Sequence, residues 1–156
     1  MAKILIVDED ENIFVLYHAY LTEDFGHTTL FAVGPDEAIN VLKKDKDIDL
    51  VILGGNMYVP FKEKFMKQRH GHEVANFICN ILWPSQGETK RPLFVTAGHN
   101  LYRAEGAAGV FTKNELMKNF SQAREKNWIN RLLRENGIEV PPAKNLPSLP
   151  DKRPAP

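Results

Sequence analysis

Lys3-Ile-Leu-Ile-Val7-Asp8-Glu9-Asp10-Glu11 is the stretch that decides the fold. After Lys3 comes an unbroken apolar run to Val7 with no polar alternation, the pattern of a strand buried on both faces. The acids that follow suit the start of a helix, where unpaired backbone N–H groups carry partial positive charge. A strand running directly into a helix opens a βα unit.

Outward from this stretch the same unit repeats. Ile13, Leu16, Tyr17, Tyr20 and Leu21 recur at helical spacing, and Gly26 ends that segment. Residues 28–33 read as a second strand. Gly34-Pro35-Asp36-Glu37 opens a second helix with Ala38, Ile39 and Leu42 inward. Residues 49–53 form a third strand, and residues 72–83 a third helix with Val74, Phe77, Ile78 and Ile81 inward. Residues 92–97 form a fourth strand, residues 100–105 a short helix or turn, and residues 109–112 a fifth strand. Residues 114–136 read as one last helix, with Gly137 as its stop. Strands alternating with helices imply right-handed crossovers and a parallel sheet. The expected architecture is α/β: a flavodoxin-like, doubly wound, five-stranded parallel sheet in the order 2-1-3-4-5, helices on both faces, spanning residues 1–137. Ligands of such sheets bind at the carboxyl ends of the strands, near the switch in strand order. That rule selects residues 8–10, 54–57 and 96–99.

Composition narrows the class. Twenty basic residues balance twenty acidic ones among 156, which argues against broad capture of nucleic acid or anionic membrane. No apolar run approaches the roughly 18 residues of a membrane span. The start is too short and too soon acidic for a signal peptide. Cys79 stands alone, so there is no disulfide framework or CxxC knuckle. These features point to a cytoplasmic protein. Residues 141–156 hold six of the ten prolines, so residues 138–156 read as a Pro-rich tail or linker.

With the elements placed, the sequence resembles the receiver domain of two-component response regulators, from Lys3 to about Leu133. Ile4-Leu-Ile-Val-Asp8-Glu9-Asp10-Glu11 looks like the family's first strand and acidic pair. Asp49-Leu-Val-Ile-Leu53 looks like the strand that delivers the phosphoacceptor. Phe94-Val-Thr96-Ala97 looks like the fourth strand with its switch hydroxyl, and Gly106-Ala-Ala-Gly-Val-Phe-Thr-Lys113 like the fifth strand with its terminal lysine. The resemblance implies a phosphoacceptor aspartate after the third strand, a divalent cation held by oxygen ligands, and a cation and hydroxyl for the phosphoryl oxygens. Gly54 occupies the acceptor position here, Gly55 follows, and no carboxylate occurs from residue 50 to 62. Asn114 replaces the family's usual proline, and Val110 its aromatic switch residue.

The expected reading is therefore a pseudo-receiver: not an enzyme, requiring no cofactor, and acting through a signalling protein partner independently of phosphorylation. Its vestigial pocket comprises Asp8, Glu9, Gly54, Thr96 and Lys113. Asp8 and Glu9 supply at most a weak magnesium site, and pairing with Lys113 competes for them. Two rivals stand beside this reading. One is an atypical receiver phosphorylated elsewhere, for instance at Asp10. The other is a small flavodoxin-like enzyme or nucleotide binder using Asp8, Glu9, Thr96, His99 and Lys113. Gly54-Gly55 matches no phosphate loop. His70 and His72 at i and i+2 share no helix face, and Cys79 reads as an inert thiol.

Two additions fall outside the family plan. Residues 58–69 form a basic, aromatic insertion, either a docking loop or a short helix over the site. The last helix, roughly 35 Å long, is longer than the sheet it covers. Leu116, Phe120 and Ala123 should pack on the sheet, while Trp128, Ile129, Leu132 and Leu133 carry the stripe past it. That predicts a partner surface of Val110, Leu116, Trp128, Ile129, Leu132 and Leu133, a homodimer contact through the last helix, or cover from the tail.

Overall fold

The computed structural model describes residues 1–54, 70–86, 91–98, 101, 103–122 and 126–141. Five strands form one parallel sheet: β1 (Lys3–Val7), β2 (Thr28–Ala32), β3 (Leu50–Leu53), β4 (Leu93–Gly98) and β5 (Gly109–Thr112), in the order β2-β1-β3-β4-β5. Helix α1 (Glu11–His18) runs on into a wider π-helical turn (Ala19–Asp24). Helix α2 spans Pro35–Lys44. Helix α3 (His70–Phe77) passes through a second π-helical turn (Ile78–Leu82) into α4 (Trp83–Gln86). Helices α5 (Lys113–Phe120) and α6 (Trp128–Glu135) close the chain.

Strand pleating explains the two layers, since successive side chains take opposite faces. Leu5 and Val7 of β1, Val51 and Leu53 of β3 and Phe94 of β4 meet Ala38, Leu42, Val74, Ile78 and Leu82 on one face. Ile4 and Ile6, Leu50 and Ile52, Val95 and Ala97 meet Tyr17, Leu21, Leu116, Phe120, Ile129 and Leu133 on the other. A strand between two helical layers has no face to give to polar side chains, which is why residues 4–7 of β1 and all of β3 are apolar.

The last helix departs from expectation. In place of one rod over residues 114–136, α5 stops at Phe120 and α6 starts afresh at Trp128. Asn127 makes the break. Its Oδ1 accepts the N–H groups of Ile129 (3.0 Å) and Asn130 (3.2 Å), and its Nδ2 donates to Asn119 O of α5 at 2.7 Å. The second helix can therefore fold back against the sheet. Leu116, Ile129 and Leu133 are fully buried and Leu132 nearly so, which removes them from any partner surface and takes away the basis for a dimer through a projecting stripe. The Trp128 ring lies over Gly109, where a Cβ would come within 2.5 Å of it, and meets Phe111 edge-on. Val110 stays partly exposed. Ile138 and Val140, placed with the tail by composition, are partly buried against this layer.

Two smaller departures concern facing. Leu16 is 45% exposed and Ile81 59% exposed, though both were expected inward. On α1 the buried row is centred on Tyr17 and Leu21, and Leu16 falls at its margin. On α3 the wider π turn brings Leu82, four residues after Ile78, inward and turns Ile81 out. Between β4 and β5 the described residues hold turns and no helix. The insertion 58–69, Gly55, Asn56, Met57, His99, Asn100, Ala123 and the tail from residue 142 lie outside the described residues.

Candidate functional site

The strand order reverses between β1 and β3, so their carboxyl ends flank the switch point. Asp8 follows β1 and Gly54 follows β3. Their backbones extend the ladder by one step: Asp8 N–H donates to Ala32 O (3.0 Å) and Gly54 N–H to Val7 O (2.7 Å). Asp8 is 2% exposed and Lys113 8% exposed. Lys113 is the first residue of α5, held there by a capping box. Thr112 Oγ1 accepts Glu115 N–H, and the Glu115 carboxylate accepts Thr112 N–H.

These elements bring Lys113 onto Asp8. Its ammonium donates to Asp8 Oδ1 at 3.3 Å and lies 3.1 Å from Oδ2. Asp8 Oδ1 also accepts the Asp10 N–H at 2.9 Å, while the Asp10 side chain caps α1 by accepting Asn12 N–H. Burial pushes the Asp8 carboxyl above the ordinary carboxylate value, and the Asp10 N–H and Lys113 only partly oppose this.

Gly54 contributes space, and that space is taken. A Cβ built there would stand 2.5 Å from Asp8 Oδ2 and 2.9 Å from Val7 O. The second contact is to backbone, so a side chain at 54 requires β1 to move as well as the carboxylate to swing. Thr96 is fully buried on β4, in register with Leu53 and Val110, and Glu9 is half-buried. The structure thus brings Asp8, Gly54 and Lys113 together, with Thr96 one step behind in the sheet.

The family resemblance implies a divalent cation held by oxygen ligands at these positions. Position 54 offers no oxygen-bearing side chain, and the Asp8 charge is matched by Lys113. Among the described residues no three His, Cys, Asp or Glu side chains group as ligands.

Sequence reasoning missed Tyr17. It is 1% exposed, its ring meets Phe120 edge-on, and its hydroxyl makes no hydrogen bond among the described residues. Burial raises its phenol strongly, and the Asp8 charge adds to this. Its spacing marks Tyr17 as core, and nothing in the sequence says that the Asp8 charge reaches it. Cys79 is half-buried, with its thiol donating to Glu105 O at 3.4 Å. Burial, then Glu105, pushes this thiol up, away from reactive thiolate.

No protein-family model matches this sequence, and no curated protein matches it significantly. Among solved structures it is similar to the response regulator TrrA of Thermotoga maritima in complex with Mg2+ and BeF, at 21% identity and a TM-score of 0.57, covering 86% of this chain and 98% of that one. It is similar to the N-terminal domain of a response regulator/sensory box/GGDEF three-domain protein of Carboxydothermus hydrogenoformans, at 18% identity and a TM-score of 0.58, covering 88% and 99%. The non-phosphorylated HemR receiver domain of Leptospira biflexa aligns at 22% identity and a TM-score of 0.53, covering 91% and 99%. The chain therefore has the receiver fold, with the flavodoxin-like strand order of that class. No helix among the described residues is long and apolar enough to cross a membrane.

Proposed function

We propose that this chain is a receiver-like signalling module that works by binding a protein partner, with no phosphoryl group accepted at its pocket and no catalysis of its own. The observation that carries the reading is the filled space at Gly54. The place where a receiver's acceptor side chain would begin lies 2.5 Å from Asp8 Oδ2 and 2.9 Å from Val7 O. The Asp8–Lys113 pair supports it, since each charge already neutralises the other. A partner then reads a surface that does not depend on phosphorylation. Val110, left partly exposed, belongs to that surface.

Beryllofluoride with magnesium tests this directly, because it is the pair bound by the Thermotoga relative. In an amide correlation spectrum of the 15N-labelled chain, the reading expects Asp8, Glu9, Thr96 and Lys113 to keep their positions on adding both. Saturable shifts at these residues would show a working pocket and overturn it.

A further inference from the structure

His27 lies at the amino-terminal edge of the sheet, away from the pocket, and is 1% exposed. Its Nδ1 accepts the Ala2 N–H at 3.1 Å, and its Nε2 stands 2.9 Å from Asn130 Oδ1. A backbone N–H can only donate, so Nδ1 carries a lone pair and Nε2 carries the hydrogen that Asn130 accepts. Asn130 is fully buried on α6 and its own N–H is held by Asn127, the residue that starts the helix. One neutral imidazole therefore ties the first strand to the last helix.

We propose that His27 is a proton-sensitive latch on α6. Adding a proton to Nδ1 sets a donor against the Ala2 donor, so the charged ring cannot keep both bonds. In the unfolded chain charging costs no such bond. Acidification through the ordinary imidazole range, about 6.5, then weakens the docking of α6 and of the chain start together. The charged groups on the surrounding elements are as follows. On the β1 side are the amino terminus, Lys3, bonded to Asp45 at 2.8 Å, and the buried Asp49, whose Oδ2 accepts the Lys3 N–H at 2.8 Å. Asp24, at the end of the first π turn, is buried and Glu23 beside it exposed, and Arg131, Arg134 and Glu135 on α6 are exposed. Asp24 is buried three residues before His27 in the chain, and its charge would favour the charged ring, so it serves as the control.

The test is hydrogen exchange of the α6 amides between pH 7.5 and pH 5, corrected for intrinsic rates, with the His27 ring followed by 15N shifts. The latch predicts an Nε2–H tautomer at neutral pH. It also predicts a loss of α6 protection of up to about tenfold per pH unit as pH falls below about 6.5, while the ring of the closed chain stays neutral to lower pH. That step should be absent in His27→Gln and retained in Asp24→Asn. An Nδ1–H tautomer, a ring that titrates without change in α6 protection, persistence of the step in His27→Gln, or its loss in Asp24→Asn would each overturn the proposal. The tautomer and the coupling are read on the unaltered chain, so they decide the matter even if His27→Gln fails to fold.

Discussion

Gly54 and Asp8 are distant in sequence and share one small volume, and this pairing has consequences that single substitutions can read. Gly54→Ala adds a methyl against a carboxylate oxygen and a backbone carbonyl. It should cost about 1–3 kcal/mol, the range of overpacked sites, as measured by urea unfolding. Breaking the Asp8–Lys113 pair from one side strands a buried charge. Lys113→Met should therefore cost about 3–5 kcal/mol, and the Asp8→Asn/Lys113→Met double variant should recover most of it. The pH dependence has a defined sign. Asp8 is held above its ordinary value, so the folded chain binds this proton more readily than the unfolded chain. The stability of the natural chain relative to Asp8→Asn should rise as pH falls through the raised value. It should level off below about 3.9, the unfolded value. A flat or opposite difference would contradict the burial argument. The absent carboxylate at 54 was legible from residues alone, as was the prospect that Lys113 meets Asp8 or Glu9. That Asp8 fills the space at 54 was not legible, because it depends on how close β1 and β3 lie at their ends.

Elements were legible where burial enforces one pattern and illegible where two patterns coincide. The central strands were the clearest to read, because β1, β3 and β4 are buried on both faces and are almost wholly apolar. The break in the last helix could not, because apolar residues keep helical spacing on both sides of it and residues 121–127 contain neither Gly nor Pro. Asn127 is the device, and a lone Asn in a helical pattern is a weak signal. Asn127→Ala should cost about 0.5–2 kcal/mol for the lost cap, and more because Asn119 O loses its donor. Amide exchange should quicken in α6 before it does in the sheet. The outward turn of Ile81 has the same origin: a π turn shifts the buried row, and no residue type marks it.

At the scale of the molecule, the strand order, both helical layers and the location of the pocket all follow from alternating βα units, and so were readable from the start. The face offered to a partner was not readable. An amphipathic stripe beyond the sheet looks the same in sequence whether it projects or folds back, and here it folds back. The proposed function has a receiver fold used without its acceptor. Incubation of the full chain with acetyl phosphate and magnesium, followed by intact mass, tests it most directly. No phosphoryl adduct is expected on this chain, and none on Gly54→Asp, whose new side chain meets Asp8 and Val7. A stoichiometric, hydroxylamine-labile adduct on the unaltered chain, at Asp10 or any other carboxylate, would contradict it.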